Sequence, residues 1–401
     1  MRVLFLSTWF PYPPNNGSKQ RAYYLLQGLA RKHEITLLTF AHDATPDAVQ
    51  HLTSCCKRII PVAVDPFQVN KTASWRGTLS LSPKSAVLTY HEEMASTVKE
   101  TLDRGSYAVV VAAQPGIARY LMGYKRTPMV LDEMDIALVR NAYKDTPLGL
   151  AKLRRGLTYW KTRHFARSIM AHFDVATVVS SLEMDLTSPI APKNLPIVVI
   201  PNGVNTAFNA PSDDLPEPNT VIFTGAVTYK VNFDAVQWFV TAIWPLVLGQ
   251  VSQAVFTVTG STGGVDVAQL AEAPGVRFSG YLGDIRPVVR GSWACVVPLL
   301  QGGGTRLKIL EAMALGTPVI STSKGVEGLD VTPGLNILLA DDANSFAMQV
   351  VRLLGDQALR QRLAEEGRKL VQKSYDWRAI QDEFNQLVET VGRGKGDMHR
   401  G

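Results

Sequence analysis

The sequence predicts an α/β protein made of two doubly wound domains that face one another. Short, almost wholly apolar runs alternate along the chain with segments of helical periodicity, which is the pattern of parallel strands covered by helices on both faces. A polar, proline-rich segment over 211–219 divides this alternation into two series. A chain of 401 residues is also longer than a single domain usually is, so two domains are expected.

The first series begins with a strand over 2–8, a loop that contains Asn16 and Gly17, a helix over 22–31 and a strand over 35–40. Strand, loop, helix and strand in this order form a βαβ unit. The remaining strands of this series are predicted over 58–64, 109–113, 129–132, 174–180 and 195–200.

Polar residues follow two of these strands. Gln114 comes directly after the strand over 109–113, and the acidic run DEMD, which contains Asp132 and Asp135, ends the strand over 129–132. Because parallel strands direct their carboxyl ends towards the ligand crevice, we expect Gln114 and this acidic run, with Glu133 in it, to lie in or near the crevice. Asp132 or Asp135 could equally cap a helix, and this alternative stays open.

The second series repeats the alternation of strands and helices. Its strands are predicted over 220–225, 255–260, 276–279, 294–298, 319–322 and 336–339. Amphipathic periodicity then predicts one helix over 346–366 and a last helix over 376–391.

The segment 301–324, QGGGTRLKILEAMALGTPVISTSK, carries the strongest functional pattern. Its three glycines permit positive φ and close approach to a ligand, and Thr305 is predicted to be the N-cap of the following helix. Thr305, Lys308 and Glu311 recur at intervals of three on one helix face, with the cation near an anion-attracting helix start. A diphosphate and a ribose need this order of groups. The alternative is a capped helix with a solvated Lys–Glu pair.

The run GGTRLKILEAMALGTPVIST resembles the donor-site signature of retaining GT-B glycosyltransferases of the family-4 type, the glycosyl transferases group 1, and is similar to their GGGTRLK-bearing subset. The resemblance implies the GT-B fold, in which two Rossmann-like doubly wound domains face a central cleft. It implies an acceptor-side domain over 1–200 and a nucleotide-sugar domain over 201–370. A helix over 371–391 is expected to cross back to the first domain, before a tail over 392–401.

The resemblance also assigns roles within the glycine-rich segment. Glu311 stands where the second glutamate of the family's E-x7-E motif binds the ribose, whereas Gly303 stands in the place of the first glutamate. The family's arginine and lysine after the strand over 220–225 are replaced here by Ala226 and Val231. The phosphates are therefore expected to meet other cations.

The full set of expected site residues follows from the resemblance and from the positions of the loops. Catalysis is assigned to Lys308, Arg306 and Asp132. Binding of the nucleotide-sugar donor is assigned to Gly17, Gly225, Lys230, Tyr281, Gly303, Gly304, Thr305, Arg306, Lys308 and Glu311. The acceptor side is assigned to Asn16, Lys19, Arg21, Gln114 and Asp135. Two alternatives stay open, namely that Tyr281 only packs against its neighbours and that Asn16-Gly17 is an ordinary turn.

Composition indicates a folded protein with a basic first half. Apolar and aromatic residues make up 46% of the chain and charged residues 19%, which argues against disorder. Residues 1–200 contain 24 Lys and Arg against 15 Asp and Glu, whereas the remainder contains 17 against 20. This asymmetry predicts an anionic partner for the first half.

Cysteine usage and apolar runs bear on the compartment. Cys55, Cys56 and Cys295 are odd in number and lack metal-ligand spacing, which fits a reducing cytosol. The apolar start of the chain is too short for a signal peptide, and no apolar run reaches transmembrane length. A soluble, cytoplasmic protein is expected.

The segment 152–167 is the most basic part of the chain. It holds six Lys and Arg and no acidic residue, interleaved with Tyr159, Trp160 and Phe165. Such a helix can lie on an anionic membrane, so peripheral contact at the inner face is one interpretation, and it fits a lipid-linked acceptor. A basic, solvated outer face is the other.

These observations predict a glycosyltransferase that moves a sugar from a nucleotide-diphosphate sugar to a hydroxyl acceptor with retention of configuration, in bacterial surface polysaccharide or glycolipid synthesis. No cofactor or metal is expected, because the side-chain cations can neutralise the phosphates. The alternatives are a nucleotide-sugar epimerase and a non-catalytic subunit that binds sugar nucleotide or polysaccharide. No nucleic-acid partner is expected, since no recognition module is present.

Overall fold

A computed structural model describes residues 1–69 and 80–394 of the chain. The chain divides into two compact units. The first consists of Met1–Pro201 together with the residues from Arg378 onward, and the second consists of Asn202–Trp377. Each unit contains one sheet in which every strand pairing is parallel, so the predicted α/β class with two doubly wound domains is confirmed.

The sheet of the first unit has seven strands in the order β3-β2-β1-β4-β5-β6-β7. These strands are β1 (Arg2–Ser7), β2 (Glu34–Phe40), β3 (Arg58–Val62), β4 (Val109–Ala113), β5 (Met129–Asp132), β6 (Val175–Val178) and β7 (Ile197–Val199). The central strands are buried along almost their whole length because helices cover both faces, which explains their continuous apolar sequence. The strand order reverses between β1 and β4.

The helices of the first unit lie between its strands along the chain, as the crossovers of a parallel sheet require. They are α1 (Gly17–Ala30), α2 (Pro46–Leu52), α3 (Lys84–Leu88), α4 (Glu92–Arg104), α5 (Pro115–Ala118), α6 (Ala137–Lys144), α7 (Leu150–Met170) and α8 (Ser181–Thr187). Helix α1 begins at Gly17, earlier than the predicted start at residue 22. The reason is that the Asn16 side chain accepts a hydrogen bond from the Lys19 amide at 2.9 Å and so caps the helix.

The sheet of the second unit has six strands in the order β10-β9-β8-β11-β12-β13, with a reversal between β8 and β11. These strands are β8 (Thr220–Thr224), β9 (Val255–Thr259), β10 (Val276–Gly280), β11 (Ala294–Val297), β12 (Val319–Ser321) and β13 (Leu338–Leu339). Its helices are α9 (Lys230–Trp238), α10 (Trp244–Leu248), α11 (Ala268–Ala271), α12 (Arg286–Arg290), α13 (Leu307–Ala314), α14 (Ala343–Gly355) and α15 (Gln357–Ser374). Every strand predicted from the sequence has its counterpart in the two sheets.

Helices α9 and α10 are joined by a π-helical turn over Phe239–Ile243. The continuous helical run Lys230–Leu248 is long and apolar enough, by length and composition, to cross a membrane, which the sequence analysis did not anticipate. Phe239, Ile243 and Trp244 of this run are fully buried in the core of the second unit. The run is therefore the core helix that this unit packs against its sheet.

Two helix boundaries differ from the prediction. The helix predicted over 346–366 is two helices, because Asp356 ends α14 and its side chain caps α15 by accepting from the Leu359 amide at 2.9 Å. Helix α15 continues to Ser374, so residues 371–374 belong to it and not to the last helix, which is α16 (Trp377–Arg393).

Helix α16 packs on α1 within the first unit. Gln381 donates to the carbonyl of Tyr24 at 2.6 Å, and Asn385 donates to the carbonyl of Gly28 at 2.9 Å. A Cβ added to Gly28 would lie 2.7 Å from the Gln381 side chain, so glycine is required for this close approach.

A buried ion pair joins α1 to the end of β5. Arg21 donates through two guanidinium nitrogens to the Asp132 carboxylate, at 2.8 and 2.7 Å, and both side chains are almost fully buried. Thr177 of β6 donates to the same carboxylate at 2.6 Å. The acceptor role predicted for Arg21 and the catalytic role predicted for Asp132 are corrected by this geometry, because neither side chain has surface left for a substrate.

We expect the Asp132→Ala substitution to lower the free energy of unfolding by about 3–5 kcal/mol, because it leaves the Arg21 guanidinium buried without its counter-ion. Urea unfolding of the purified chain measures this loss. The control is Lys369→Ala, which breaks the exposed Lys369–Glu366 pair at 2.7 Å and should leave the midpoint of unfolding close to that of the wild type, because water screens an exposed pair. Equal midpoints for both variants would contradict the assigned role of the buried pair.

Candidate functional site

The candidate site of the second unit lies at the carboxyl edge of its sheet, where the strand order reverses. Gly225 follows β8 directly, and the glycine-rich loop over 302–304 lies between β11 and α13. Loops that follow strands on either side of such a reversal diverge and leave a crevice, which is the usual ligand position in doubly wound sheets.

The glycine-rich loop has the backbone conformation that its sequence predicts at two of three positions. Gly302 and Gly304 have φ of 109° and 76°, a region that other residues rarely adopt, whereas Gly303 is not among the positive-φ residues. Arg306 folds back over this loop and donates to the carbonyls of Gly303 and, at 3.1 Å, of Gly304. A Cβ on Gly302 would lie 3.1 Å from the Arg306 guanidinium.

The start of helix α13 differs from the prediction by one residue. Thr305 is not the N-cap, because Arg306 has non-helical φ and ψ of −85° and 81° and the helix begins at Leu307. The Thr305 hydroxyl instead accepts a hydrogen bond from the Asn202 side chain at 3.2 Å. No side-chain hydrogen bond caps α13, so its first amides depend on other partners.

Lys308 is half-buried and its ammonium has a defined position. The Nζ atom donates to Oδ1 of Asn232 at 3.0 Å and lies 4.0 Å from the centre of the Phe223 ring. Asn232 is fixed in turn because its Nδ2 donates to the Ala226 carbonyl at 2.9 Å. A Cβ on Gly225 would come within 2.8 Å of the Lys308 Nζ, so this glycine, at φ 133°, makes room for the ammonium.

The surroundings of Lys308 favour its neutral form in the free protein. The pKa of Lys308 is lowered to about 7, mainly because the side chain is removed from water and also because the Arg306 guanidinium is near, while Cys295 and the Glu311 carboxylate act in the opposite direction. The effect of the Glu311 carboxylate on this pKa places Glu311, one turn along α13, near the Lys308 ammonium, as the spacing of three predicts. A lysine amine with this pKa takes up a proton when an anion binds beside it, because the negative charge favours the protonated form.

Two further predicted donor-side residues of the second unit, Lys230 and Tyr281, are exposed. Lys230 forms a pair with Asp234 at 2.8 Å and its side chain is largely exposed. Asp234 also accepts from the Gln301 side chain at 2.7 Å, which ties the start of α9 to the start of the glycine-rich loop. Tyr281 follows β10 and is 80% exposed, so both faces of its ring are open and the packing alternative does not apply.

The first unit holds the predicted acceptor-side residues. Asn16 caps α1, of which Gly17 is the first residue, so Asn16-Gly17 serves as the helix start after β1. The Lys19 side chain is buried and donates to Asp43 at 2.8 Å, and its acceptor-side role stays a prediction.

The acidic run after β5 is occupied largely by internal contacts. Asp135 accepts from the Leu138 amide at 3.3 Å, so it caps α6, the alternative that the sequence left open. Glu183 of α8 accepts from the amides of Ile136 and Ala137 at 3.0 and 3.1 Å. Burial and, next, the nearby Asp135 together raise the pKa of Glu183 to about 8, and the hydrogen bonds from the two amides oppose this rise. Within residues 1–69 and 80–394, no three His, Cys, Asp or Glu side chains are grouped to hold a metal ion.

Glu133 is half-buried, and sequence reasoning named it only as part of the acidic run. Gln114 donates to its Oε2 at 2.9 Å. Burial raises the pKa of Glu133 to about 7, Asp132 and Asp135 raise it, and Arg21 and the Gln114 hydrogen bond lower it. The signal that could have indicated Glu133 is its place directly after a buried parallel strand. No comparable sequence signal marks Asn232 as the partner of Lys308.

Comparison with known proteins identifies the class. Residues 218–356 match the family described as glycosyl transferases group 1. Sucrose-phosphate synthase from Thermosynechococcus elongatus superposes with a TM-score of 0.75 at 20% sequence identity, over 98% of this chain and 99% of that one. HepE from Anabaena, solved in complex with UDP and glucose, superposes with a TM-score of 0.67 at 14% identity, over 97% of this chain and all of that one. The chain therefore has the GT-B fold.

Two curated proteins are similar to this chain in sequence. A protein of 44.6 kDa from the cps region of Klebsiella pneumoniae, itself uncharacterized, is 20% identical over 94% of this chain and 97% of its own length. The lipopolysaccharide core biosynthesis glycosyltransferase LpsE of Rhizobium meliloti is 35% identical over 28% of this chain and 34% of its own. The residues that match the family model, 218–356, lie within the second unit.

We expect the binding of UDP to take up a proton at pH 8 through Lys308. With a pKa of about 7 in the free protein, this side chain is about 90% neutral at pH 8 and about 10% neutral at pH 6, and a bound diphosphate holds it charged. Calorimetric titration with UDP in buffers of different ionisation enthalpy measures the uptake, which should approach one proton at pH 8 and fall at pH 6.

The control for this titration is Lys308→Met, which keeps the length of the side chain and cannot titrate. Protonation of UDP itself is common to both proteins, so the difference between them isolates Lys308. If the wild type and the variant take up the same number of protons at pH 8, Lys308 does not contact the diphosphate.

Proposed function

We propose that this protein transfers a sugar from a nucleotide-diphosphate sugar to a hydroxyl acceptor with retention of anomeric configuration, in the synthesis of a bacterial surface polysaccharide or glycolipid. The observation that carries the proposal is the Lys308 ammonium, held beside the uncapped start of α13 and the positive-φ glycine-rich loop. The donor class is supported by HepE, which was solved in complex with UDP and glucose. The pathway is supported by LpsE, which is named as a glycosyltransferase of lipopolysaccharide core biosynthesis.

The chemistry requires stabilisation of a leaving diphosphate. The bond between the anomeric carbon and the phosphate oxygen breaks, the acceptor oxygen bonds to the same face of that carbon, and the acceptor proton passes to the departing phosphate. A helix start contributes only about half an elementary charge, so a full cation is needed beside it. Lys308 supplies this charge, and the charge is largest in effect as the diphosphate leaves because the ammonium is shielded from water.

The other predicted donor contacts divide by their position along α13. Glu311, one turn beyond Lys308, binds the ribose hydroxyls as a carboxylate acceptor. Arg306 points back to the loop carbonyls, so it orders the phosphate-binding loop and contributes less charge to the phosphates than Lys308 does. We propose that these side-chain cations serve in place of a metal ion, as a GT-B resemblance implies, and that the exposed Tyr281 ring stacks on the base.

An exposed apolar row on α7 supports a membrane-bound acceptor. Leu150, Leu153, Leu157 and Trp160 recur at intervals of three and four, so they lie along one face of the helix, and each is more than half exposed. Lys152, Arg154, Arg155, Lys161 and Arg163 flank this row. Apolar residues beside cations are what a helix needs to lie in the interface of an anionic membrane. We therefore propose that α7 docks the protein at the inner membrane face.

A pocket beside this row has the chemistry of a lipid-headgroup site. It has a volume of about 540 Å³ and lies between α6 and α7, where Tyr143 stacks on Tyr159 at 5.9 Å and Lys152 lies over the Tyr143 ring. Arg163 and Trp160 complete its wall. A lipid headgroup needs cations for its phosphate and an apolar surface for the adjoining acyl chains. Both are present at this pocket, which supports a lipid-linked acceptor.

A product assay with labelled donors separates this function from its alternatives. UDP-, GDP- and ADP-sugars are each incubated with the protein and a bacterial lipid extract. Label in the lipid phase supports the transferase, epimerised donor indicates a nucleotide-sugar epimerase, and binding without turnover indicates a non-catalytic binding subunit.

We expect a graded loss along α13. Glu311→Ala should weaken nucleoside diphosphate binding and activity by about 2–4 kcal/mol, because a charged hydrogen-bond acceptor for the ribose is lost. Lys308→Ala should reduce turnover more than Arg306→Ala and should weaken a nucleoside diphosphate far more than the monophosphate. Calorimetric affinities and initial rates measure both effects. Equal losses of mono- and diphosphate affinity in Lys308→Ala would place Lys308 away from the phosphates.

We expect the chain to cosediment with vesicles that contain anionic phospholipid at low salt. Replacing Arg154, Arg155 and Lys161 together with glutamine should weaken this binding by about 3 kcal/mol, on the order of 150-fold, at about 1 kcal/mol for each basic residue.

Leu153→Ser tests the apolar row in the same sedimentation assay. Its matched control is Leu246→Ser, which changes an exposed leucine of α10 in the second unit and should leave vesicle binding unchanged. If the wild type does not bind anionic vesicles, the basic face of α7 is only a solvated surface.

A further inference from the structure

Two residues with strained backbone stand side by side at the carboxyl edge of the first sheet. Gln114 has φ of 82° and Glu133 has φ of 60°, a region that residues with long side chains rarely adopt. Gln114 follows β4 and Glu133 follows β5, and these strands are neighbours in which Ala113 is opposite Asp132. The two strained residues are therefore adjacent, and the Gln114 side chain donates to the Glu133 carboxyl group at 2.9 Å.

Neighbouring elements hold this conformation in place. The Gln114 amide donates to the Asp132 carbonyl at 2.9 Å, and the Glu133 amide donates to the Thr177 hydroxyl at 3.2 Å. Asp132 is itself held by the buried Arg21. Positive φ at a non-glycine residue persists only where the surroundings impose it, and such residues are concentrated at functional sites.

A third polar group beside them has no partner. Thr8 follows β1, the other neighbour of β4, and is only 9% exposed. Its Oγ1 atom forms no hydrogen bond with any residue of the described ranges. A Cβ added to Gly116 would lie 3.3 Å from this oxygen, so the glycine leaves the hydroxyl uncovered beside Gln114. A buried hydroxyl without a partner is costly and points to a ligand that satisfies it.

The chemistry of these groups selects the ligand. A carboxyl group with a pKa near neutrality can accept a hydrogen bond or donate one, and a threonine hydroxyl can do the same. Neither group favours a phosphate, and the nearest cation, Arg21, is buried against Asp132. The ligand that matches is a neutral molecule with several hydroxyl groups.

We propose that Glu133, oriented by Gln114, binds a hydroxyl group of a sugar ring at the carboxyl edge of the first sheet, with Thr8 as a second contact. This inference rests on the proposed glycosyl transfer for the identity of the sugar, which is either the ring of the donor or that of the acceptor. Gln114 is a positioning residue, because it acts through the carboxyl group of Glu133. The backbone strain at Gln114 and Glu133 and the unpartnered hydroxyl of Thr8 destabilise the free protein, and a site preformed for a sugar explains why both are present.

The inference predicts a pH dependence near neutrality. The ionisable groups that face Glu133 are Arg21, Asp132 and Asp135, and burial outweighs Arg21 so that the pKa of Glu133 is about 7. Glu133 therefore donates to a sugar hydroxyl at pH 6 and accepts from one at pH 8, and the rate of sugar transfer should change across this interval. Glu133→Gln removes the titration and should flatten that step. The amide oxygen of the new side chain can still accept the hydrogen bond from Gln114.

The first test requires no substrate. If the strained pair is kept for a ligand, Glu133→Gly and Gln114→Gly relieve positive φ and should melt no lower than the wild type. The control is Asn219→Gly, which changes a residue at φ 59° in the turn before β8 and should leave both melting and turnover unchanged. A fall in Tm of more than about 3 °C in both variants, on the order of 1 kcal/mol, would assign the pair to stability and overturn the proposal.

The second test distinguishes the two sources of the sugar. UDP-glucose, GDP-mannose and ADP-glucose are each titrated beside the corresponding nucleoside diphosphate, and transfer to a bacterial lipid extract is measured. A tenfold loss of nucleotide-sugar affinity in Glu133→Gln, with nucleoside diphosphate affinity unchanged, indicates the donor ring. Unchanged donor affinity with a tenfold loss of transfer indicates the acceptor ring.

Wild-type affinity, transfer rate and pH profile in Glu133→Gln would overturn the inference and leave the proposed function intact, because nucleotide binding is measured in the same titrations. Failure of the wild-type protein to bind any of the three nucleoside diphosphates would instead contradict the proposed function. In that case the melting experiment alone decides whether the strained pair is kept for a ligand.

Discussion

Parallel pairing of every strand is the constraint on which both units depend. It sends all strand carboxyl ends to one edge of each sheet, and the reversals between β1 and β4 and between β8 and β11 make the loops at that edge diverge. The positive-φ glycines of the donor-side loop and the strained pair Gln114 and Glu133 both occur at such an edge. The helices that parallel crossovers require cover the sheet faces, so the edges are where polar side chains can meet a ligand.

Each unit holds a cation away from water, and the two cations differ in their partners. Arg21 is matched by a carboxylate with bidentate geometry, which makes the pair a structural connection between α1 and β5. The Lys308 ammonium donates to an amide oxygen and lies over an aromatic ring, and removal from water lowers its pKa to about 7. A charge that is incompletely compensated in the free protein gains most when an anion arrives. The difference separates a cation that holds the fold from one suited to a diphosphate.

Carboxyl groups show the same division of roles. Asp135 and Glu183 cap α6 from two directions, and Asp132 holds Arg21, so three of the four acids near the end of β5 are used within the first unit. Glu133 differs because its carboxyl group accepts a hydrogen bond from the side chain of Gln114, the other strained residue at this edge. Its backbone strain and the unpartnered Thr8 hydroxyl are departures from a locally consistent structure, and such departures are expected where a site is preformed for a ligand.

The sequence by itself determined the class of fold, the strands, the position of the glycine-rich loop and the shared face of Lys308 and Glu311, because apolar periodicity and helical spacing are local properties. Only the tertiary structure decided which polar residues are free to act. Arg21 and Asp132 are 111 positions apart, and Lys308 and Asn232 are 76 apart, so no local pattern indicates that they meet. Burial and pairing are set by the packing of distant elements, which pairs Asp132 with Arg21 and Lys19 with Asp43 and places the Gln114 side chain against Glu133.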